Sequence, residues 1–477
     1  MIKTKIIATI GPACDSQQMI ERMIKASVSV FRFNTKHNTL KWHAHRIERV
    51  RQASRKLDIP VVIMIVLQGP ELRIGAFKNG QIRLDKNEII DFVNREKSSS
   101  KKNIVIEQLA AIKGLKPGSF IYLDDGFLEA RVLEVSHQGR IVTAKIVEGG
   151  ILKDNKGVNF PNTNLDLPSL VKKDLEFISM PARRDIDFFS YSFVRNREDI
   201  LELRKIIKQQ GLSAKIVAKI ENRKSIDNFE EILKEADAIM IARGDLGIEI
   251  SPEEVPFYQK MIIKRCREEA KPVIVATQML ESMTKKPRPT RAEVTDVANA
   301  VYDAADALML SNETSIGRFP LKAIKMMKKI IEFTEKKRET PSIRFKPKSL
   351  SEMIAFSAHK IIEGQLFEEF LEKINITNFV VFTDTGTTVR FLSRLRPSIP
   401  ILVITDDKWV RDQLCLSYGV IPFFHKFPKG SIRSTKYGLL HLKKKGVLQK
   451  GDRVITIYGK QWGVSGETNT IRVEEVG

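Results

Sequence analysis

Polar and charged side chains, with one glycine, follow several short apolar segments of this chain where a strand would end. They are Arg32, Asn34, Lys219, Glu221, Gly244, Asp245, Thr277 and Ser311. Lys219 and Glu221 are two residues apart, so a β-strand would point both toward the same side. Glu221 and Asp245 could hold one divalent cation, because Mg²⁺ usually takes one or two carboxylates plus substrate oxygens and water. The set predicts a site for a phosphoryl group and a metal ion, although any single member could belong to a structural ion-pair cluster.

Eight short segments rich in apolar and β-branched residues precede Glu313, with amphipathic stretches between them. The predicted strands are Ile6–Ile10, Val28–Asn34, Val61–Val66, Phe188–Val194, Lys215–Glu221, Ala238–Arg243, Pro272–Met279 and Ala307–Ser311. The intervals carry helix signals, such as Ser16 as a cap before apolar positions that begin at Met19. Eight βα units predict an α/β fold, a (β/α)8 TIM-type barrel whose active site lies at the carboxyl ends of the strands.

One interval of the predicted barrel, between Val66 and Phe188, is far longer than a single helix. From Ala76 to Asn159 it contains short segments with turn signals, such as Asp124-Asp125-Gly126, which are typical of a small antiparallel β domain. We therefore predict an inserted β lid domain at residues 76–159, with the barrel formed by residues 1–75 and 160–340.

A third domain is predicted after a basic, proline-containing linker from Lys336 to Lys348. A helix-rich region there leads to three strand-like segments, Phe379–Thr383, Ile401–Thr405 and Val454–Tyr458. This pattern indicates an open α/β domain at residues 341–477, of ordinary size for a domain.

The composition is that of a folded protein with several domains: 477 residues, 42% hydrophobic and 29% charged. No apolar run approaches the roughly 20 residues that span a bilayer, and the N-terminus lacks a signal-peptide pattern, so we predict a cytoplasmic protein with no membrane partner. The three cysteines lie far apart, which favours buried apolar positions. The net charge of +22 would attract anions, but the basic runs are short and lack interleaved aromatic residues, so a nucleic-acid partner is not favoured.

A series of longer motifs runs along the chain in a fixed order. They are Ala8-Thr9-Ile10-Gly11-Pro12, Gly69-Pro70-Glu71-Leu72-Arg73, Ala218-Lys219-Ile220-Glu221-Asn222, Ala242-Arg243-Gly244-Asp245-Leu246-Gly247, Ala276-Thr277-Gln278-Met279-Leu280, Pro287-Arg288-Pro289-Thr290-Arg291-Ala292-Glu293 and Asp296-Val297-Ala298-Asn299-Ala300. In content and order they resemble pyruvate kinase, covering the barrel densely and the C-terminal domain thinly. The resemblance implies transfer of a phosphoryl group from phosphoenolpyruvate to ADP, giving pyruvate and ATP in glycolysis, by a homotetramer.

The resemblance also implies a role for each residue at the reacting centre. Glu221 and Asp245 would be ligands of Mg²⁺ (or Mn²⁺), and Lys219 would neutralise the phosphoryl group in flight. Arg32 resembles a phosphate-binding residue. The substrate cradle would be formed by Gly244, Asp245 and Thr277.

Further roles concern the proton and the nucleotide. Ser311, with Thr277, resembles the relay that protonates the enolate, a step that needs a hydroxyl group or a water chain. The nucleotide-side contacts would be Asn34, His37, Arg73 and Lys173. These roles agree with phosphoryl transfer, which depends mainly on positioning and on charge stabilisation, and the inserted domain would exclude water on closing.

The chain departs from the family at the monovalent-cation site. The family's Asn-Phe-Ser-His and Asp-Thr-Lys are here Asn34-Thr35-Lys36-His37 and Val66-Leu67-Gln68, so only Asn34 keeps the pattern. In potassium-dependent members the lost serine, aspartate and threonine help to hold K⁺. We predict that the ammonium group of Lys36 replaces K⁺ as a built-in cation paired with Glu71. The alternative is a degraded site with Lys36 in solvent, and the retained Glu71 favours it, since potassium-independent members typically carry lysine there.

Two further features concern turns. Asn312 replaces the family's glycine after Ser311, and asparagine tolerates left-handed backbone angles better than most residues.

Thr383–Thr388 resembles the family's effector-phosphate loop, because hydroxyl and free N–H groups after a strand suit a phosphate. An ordinary capped turn would use the same residues, so a phosphorylated effector is an expected partner of open identity.

Two other functions compete with that of an active kinase. The replacements at Lys36, Val66 and Asn312 would fit a catalytically weak barrel that binds nucleotide or sugar phosphate as a regulatory protein. The charge of +22 would fit nucleic-acid binding with a steep salt dependence. The enzyme is favoured by the retained residues, which are Lys219, Glu221, Asp245, Thr277 and Ser311.

Overall fold

The computed structural model of the chain describes residues 2–94, 102–161, 163–180, 185–337, 339, 343, 345–363, 376–426, 433–459 and 468–477. Part of the predicted linker that begins at Lys336 lies outside these residues. Within them, no helix is both long enough and apolar enough to cross a membrane. Cys14, Cys266 and Cys415 are free and buried, as predicted.

The chain begins with three parallel strands and the helices that connect them. These are β1 (Lys5–Thr9), α1 (Gln17–Lys25), β2 (Val28–Asn34), α2 (Leu40–Leu57) and β3 (Val62–Val66). Helix α1 begins where predicted, because the Ser16 side chain accepts a hydrogen bond from the backbone N–H of Met19 and so satisfies a free amide of the first turn. Its buried face consists of Ile20, Met23 and Ile24.

The inserted domain consists of short strands that follow β3. They are β4 (Gln81–Leu84), β5 (Ile89–Val93), β6 (Asn103–Val105), β7 (Ile112–Lys113), β8 (Phe120–Leu123), β9 (Leu128–Ser136), β10 (Ile141–Glu148), β11 (Gly150–Lys153), β12 (Val158–Asn159) and β13 (Asn164–Leu165). Six of them form a sheet in the order β12-β8-β9-β10-β5-β6, which is antiparallel except for the β5–β6 pair. The sheet covers its own hydrophobic core, which includes Phe92, Ile121 and Leu123.

Five further strands and nine helices complete the barrel among the described residues. They are α3 (Lys172–Ile178), β14 (Phe188–Tyr191), α4 (Arg197–Gln209), β15 (Lys215–Ile220), α5 (Arg223–Asp227), α6 (Phe229–Glu235), β16 (Ala238–Ala242), α7 (Arg243–Glu249), α8 (Val255–Glu268), β17 (Val273–Ala276), α9 (Arg291–Tyr302), β18 (Ala307–Leu310), α10 (Asn312–Ser315) and α11 (Pro320–Lys337). The eight parallel strands close in the order β1-β18-β17-β16-β15-β14-β3-β2. The predicted (β/α)8 barrel is therefore confirmed.

Several barrel strands end earlier than predicted, because the backbone turns at their carboxyl ends. Strand β14 ends before Phe193, whose φ is +57°, and β17 ends before Thr277 and Gln278, whose φ values are +69° and +55°. Positive φ is incompatible with an extended strand. The stretch after β16 is helix α7 itself. The polar residues thus lie in the last residues of the strands, on the turns after them or in the first turn of α7.

The C-terminal domain is an open sheet with flanking helices. Its elements are α12 (Leu350–Glu363), β19 (Ile376–Phe382), α13 (Thr387–Ser393), β20 (Ile401–Thr405), α14 (Lys408–Leu414), β21 (Val420–Phe424), α15 (Arg433–Lys444), β22 (Arg453–Gly459) and β23 (Thr468–Glu475). The strand order is β21-β20-β19-β22-β23, with only β23 antiparallel to its neighbour. The predicted open α/β domain is confirmed, and two of its strands, β21 and β23, were not predicted.

The C-terminal domain covers the amino ends of the barrel strands. Leu416 packs into the cluster of side chains inside the barrel. Polar contacts surround it: Lys5 Nζ donates to Val420 O at 2.7 Å, and Gln413 Nε2 donates to Ser213 O at 2.8 Å. Because the amino ends of the barrel strands are covered, a ligand would bind at their carboxyl ends.

Candidate active site

Lys219 and Glu221 form a buried ion pair at the end of β15. Lys219 Nζ lies 2.6 Å from Glu221 Oε2, and the two residues are 6% and 0% exposed. Lys219 Nζ also donates to Ser192 Oγ at 3.0 Å, while Glu221 Oε1 accepts from the backbone N–H of Phe193 at 2.6 Å. The predicted placement of both side chains on one side of the strand is confirmed.

Asp245 stands close to this pair, in the first turn of α7. Burial raises the pKa of Glu221; the positive charge of Lys219 opposes this effect and the negative charge of Asp245 adds to it. Two neighbouring carboxylates, one fully buried, fit a divalent cation that would relieve their repulsion. The described residues contain no group of three or more His, Cys, Asp or Glu that could hold a metal. The donor set therefore suits an ion that takes further oxygens from substrate and water, as Mg²⁺ does.

Arg32 faces both carboxylates from the end of β2. Its Nη1 donates to Thr9 Oγ1 at 3.1 Å, and its buried Nε has no hydrogen-bond partner among the described residues. Burial lowers the pKa of Arg32 to about 10, although Asp245, Glu221 and Glu313 raise it. The guanidinium is charged at neutral pH and has a free N–H group, as a phosphate-binding residue requires.

Thr277 has a backbone conformation that its surroundings enforce. A β-branched residue with a φ of +69° is strained. Thr277 Oγ1 accepts from the backbone N–H of Gly244 at 2.8 Å, and Thr277 O accepts from Arg243 Nη2 at 2.8 Å. Arg243 is in turn held by Asp296 at 2.6 Å. The Thr277 hydroxyl and the start of α7 are therefore fixed together.

Ser311 lies at the end of β18, on a turn that Glu313 holds. The Glu313 carboxylate accepts from the backbone N–H of Ser311 at 2.7 Å and from that of Leu280 at 3.0 Å, which joins the turns after β17 and β18. Asn312 begins α10 and is not among the residues with positive φ. The turn therefore forms without a left-handed angle at Asn312.

Lys36 points into the site. Its Nζ lies 3.2 Å from Glu71 Oε2, and the two side chains are only 21% and 16% exposed. The ammonium group also lies 5.8 Å from the centre of the Phe193 ring, while the backbone N–H of Lys36 donates to Asn34 Oδ1 at 3.2 Å. The predicted ion pair with Glu71 is present, and the role of Lys36 as a replacement for K⁺ stays a prediction.

The predicted nucleotide contacts cluster around Lys36. Lys173 Nζ donates to Lys36 O at 3.4 Å, and Arg73 Nη2 lies 3.0 Å from Glu71 Oε2. Burial lowers the pKa of His37, and the charges of Arg73, Lys36 and Lys173 lower it further. An open pocket of about 570 Å³ adjoins the cluster between α3 and the loop after β2; its lining includes Asn38, Leu40, Lys173 and Phe177.

The inserted domain contacts this end of the barrel through residues that sequence reasoning missed. Asn159 Nδ2 donates to Glu249 Oε1 of α7 at 3.0 Å. Burial raises the pKa of Asp125, and the charges of Asp124 and Asp245 raise it further. The sequence indicated only a turn at Asp124–Gly126. The two adjacent carboxylates in that turn were the one sequence signal that could have indicated a role for Asp125 near the barrel.

Asp174 is a second residue that the sequence did not indicate. This buried carboxylate in α3 accepts from the backbone N–H groups of Gln68 at 2.7 Å and Gly69 at 3.1 Å. Those amides lie at the start of the loop that carries Glu71 and Arg73. Asp174 therefore fixes that loop to α3, the helix that contains Lys173. Its hydrogen-bond partners lie about a hundred residues away in the sequence, so no local pattern indicated this positioning role.

A closed parallel barrel with two acidic residues, a buried lysine and an arginine at its carboxyl end suits a phosphotransferase, because these are the charges that phosphoryl transfer requires. The model of the pyruvate kinase barrel domain matches residues 1–324, and that of the pyruvate kinase alpha/beta domain matches residues 366–474. The chain belongs to the pyruvate kinase family. It transfers the phosphoryl group of phosphoenolpyruvate to ADP.

Individual relatives agree with this assignment. Pyruvate kinases of Staphylococcus aureus strains MRSA252 and USA300 are each 38% identical to this chain over 485 residues, covering all of it and 81% of their own length. The crystal structure of a pyruvate kinase from Cryptosporidium parvum has a TM-score of 0.89 and 32% identity, covering 100% of this chain and 96% of that one.

Proposed function

We propose that the residues gathered at the carboxyl ends of β2, β15, β16, β17 and β18 carry out this reaction. The observation that carries the proposal is the fully buried Glu221, in contact with Lys219 and close to Asp245 and Arg32. Arg32 and Lys219 bind and neutralise the phosphoryl group, and Gly244, Asp245 and Thr277 form the cradle of the substrate. Their fixed positions supply the charge stabilisation on which phosphoryl transfer depends.

Glu221 and Asp245 would hold Mg²⁺ or Mn²⁺. When bound, the ion supplies positive charge to oxygens of the substrate. The Glu221 carboxylate is held from one side by the Phe193 amide, so its other oxygen, now on Lys219, is the one available to a metal. The Lys219 ammonium group, next to Glu221, would neutralise the phosphoryl group.

Ser311, with Thr277, would deliver the proton that converts the enolate to pyruvate. Thr277 Oγ1 is held by the Gly244 amide and by Ala276 O, and Ser311 is held through Glu313. The Thr277 hydroxyl and the Ser311 backbone therefore have fixed positions at neighbouring strand ends, which would support proton delivery to a carbon atom.

ADP would bind on the side of Lys36. Asn34, His37, Arg73 and Lys173 lie there, next to the open pocket, and Arg73 and Lys173 offer positive charge to the diphosphate. The nucleoside would enter the pocket that Lys173 helps to line. The contact between Asn159 and Glu249 closes the inserted domain over α7, and closure excludes water from the transfer.

The ammonium group of Lys36 would take the place of K⁺. Its contact with Glu71 carries this part of the proposal. The test is pyruvate formation from phosphoenolpyruvate, ADP and Mg²⁺ in tetramethylammonium buffer, with and without K⁺. Full activity without K⁺ supports the role of Lys36, strict dependence on K⁺ refutes it, and absence of activity in both buffers refutes the assignments of catalytic residues.

Organisation beyond the single site is also proposed. We propose domain boundaries at residues 75, 159 and 340 from the sequence pattern, with β13, beyond residue 159, returning to pair with β7 of the inserted domain. The likeness to the family supports a homotetramer and a cytoplasmic location. A partner surface is supported by exposed apolar side chains on the barrel: Phe257, Ile316 and Phe333 are 67%, 62% and 68% exposed. In the proposed effector loop, Thr383 Oγ1 accepts from the Gly386 amide at 2.9 Å, which leaves Thr385 and Thr387 as the hydroxyl groups for a phosphorylated effector.

A further inference from the structure

A short segment at the end of the inserted domain contacts both sides of the proposed active site. This return segment, residues 155–159, ends in β12, which pairs with β8 of the inserted sheet. On one side it lies against the loop that contains Arg73, and on the other it contacts Glu249 of α7. The proposed function assigns ADP to the side of Arg73 and phosphoenolpyruvate to the start of α7. One segment therefore contacts the binding regions of both substrates.

Three contacts hold the return segment to the loop on the nucleotide side. The backbone N–H of Val158 donates to Leu72 O at 3.1 Å. Arg73 and Gly157 form an antiparallel bridge, and Arg73 Nη1 donates to Asn155 O at 2.6 Å. Both the backbone and the guanidinium group of Arg73 are thus held by the return segment, so the position of this proposed ADP contact depends on that segment.

A single side-chain hydrogen bond joins the return segment to the phosphoenolpyruvate side. Asn159 Nδ2 donates to Glu249 Oε1 at 3.0 Å, and Glu249 is the last residue of α7, whose first turn contains Gly244 and Asp245. Burial raises the pKa of Glu249, the hydrogen bond from Asn159 lowers it, and the charges of Asp245 and Glu221 raise it. Glu249 therefore lies within electrostatic reach of the residues proposed to hold the metal ion.

Contacts of this kind can couple the binding of two ligands. A ligand shifts the equilibrium between two arrangements of a protein only as far as it binds one of them more tightly. ADP would favour the arrangement in which Arg73 is in place, and phosphoenolpyruvate would favour the one in which the first turn of α7 is fixed. Because a short helix moves as one unit, fixing its first turn also fixes Glu249 at its end. Both ligands would then favour the same arrangement of the return segment.

We propose that the return segment couples the binding of ADP to that of phosphoenolpyruvate, with Asn159 and Glu249 as positioning residues. The inference rests on the proposed assignment of the two substrates to these two sides of the site. Glu249 acts through the first turn of α7, and Asn159 acts through the segment that holds Arg73. The coupling is equal in both directions, as linkage requires for binding equilibria.

Equilibrium binding measures the coupling without turnover. ADP is titrated into the full chain with Mg²⁺ in a calorimeter, with and without a saturating phosphonate analogue of phosphoenolpyruvate. A methylene group replaces the bridging oxygen of the analogue, so its phosphoryl group is not transferred. In the wild type we expect the analogue to tighten ADP binding at least about fivefold, and ADP to tighten binding of the analogue by the same factor. A wild-type factor of one would overturn the proposal.

Variants of the hydrogen bond test which contact transmits the coupling. Asn159→Ala and Glu249→Ala should each reduce the factor to below about twofold, and the double variant should lose no more, because both residues act through one contact. Glu249→Gln keeps an acceptor oxygen and should retain most of the factor. The matched control is Glu253→Ala, at an exposed carboxylate shortly after α7, which should retain all of it. A wild-type factor in both Asn159→Ala and Glu249→Ala would refute the role of the contact.

Two further measurements separate the coupling from other effects. A merely structural role for Asn159 would lower the thermal unfolding midpoint and weaken both affinities without changing their coupling factor, which would contradict the proposal. Arg32→Gln should weaken binding of the analogue alone. An unchanged affinity there would refute the assignment of phosphoenolpyruvate to these strand ends, and with it the basis of the coupling, whereas a coupling factor that survives in Asn159→Ala would refute the coupling alone.

Discussion

Replacing Lys36 with serine is the sharpest test of the built-in cation. The substitution removes the ammonium group near Glu71 and restores a small hydroxyl residue. The fold should tolerate it, because Glu71 keeps Arg73, whose Nη2 lies 3.0 and 3.1 Å from the two carboxylate oxygens. The Lys36–Glu71 pair is partly exposed, so its loss should change the free energy of unfolding by less than about 1 kcal/mol.

The effect on the rate should be far larger than the effect on stability. A preorganised charge that acts on developing charge in the transition state is worth roughly 10²–10³ in kcat. We therefore expect Lys36→Ser to lose roughly a hundredfold in kcat in tetramethylammonium buffer. Added K⁺ should restore a measurable part of that loss, because the space left by the lysine stem can admit the ion.

The assay measures kcat and KM for both substrates with and without K⁺ in four proteins. Lys36→Met removes the charge but fills the space, so K⁺ should not rescue it. Lys25→Ser, at an exposed position of α1, should behave as the wild type. A Lys36→Ser protein with wild-type kcat in both buffers would refute the reasoning, because the ammonium group would then contribute nothing to the transition state.

Three other predictions follow from buried carboxylates. Asp174→Ala should raise the KM for ADP several-fold and destabilise the fold by about 1–3 kcal/mol, since three backbone amides lose their acceptor; steady-state kinetics and urea unfolding measure the two effects. Glu221→Gln should lose Mg²⁺-dependent activity and weaken Mn²⁺ binding measured by electron paramagnetic resonance, and unchanged Mn²⁺ affinity would contradict its role as a ligand. Burial raises the pKa of Asp187 from 3.8 to about 7 against the charge of Arg51, so the folded state keeps a proton that the unfolded state releases, and stability from this group falls as pH rises between those values. Relative to Asp187→Asn, wild-type stability should fall as pH rises above the ordinary aspartate range, by at most about 1.4 kcal/mol per pH unit in urea unfolding, and a pH-independent difference would mean that Asp187 stays ionised.

The barrel was predictable because its strands are continuous apolar segments at a regular βα period. The ends of the strands were not, because they depend on residues such as Phe193 and Thr277, which adopt positive φ only when tertiary contacts hold them there. Strand β23 was missed for a related reason. It is an edge strand whose residues are mostly exposed or half-buried, so the sequence has no apolar run there, and its pairing with β22 stabilises it.

The reacting residues were predictable because strand ends in a barrel converge on one place. The residues that position the reacting residues could not be predicted, because each one forms hydrogen bonds with a segment that is distant in the sequence. Asp174 holds Gln68 and Gly69, Glu313 holds Leu280, and Asn159 reaches Glu249 across the domain boundary. No local spacing encodes such pairs, so a single sequence gives only the residue type.

The region around Lys36 combines several departures from the family, which the proposed role of Lys36 would make compensatory. Val66 and Leu67 are 1% and 0% exposed, so apolar side chains fill positions where the family has oxygen ligands. The Val66 carbonyl accepts from Thr35 Oγ1 at 2.8 Å, and the Asn34 side chain accepts from the Lys36 amide. A K⁺ ion would therefore find few free oxygens. Lys36 adds a positive charge near Glu71 in this oxygen-poor region. In the proposed role of Lys36, the gain of an ammonium group would offset the loss of ligands, so one kinetic experiment on Lys36 tests both changes.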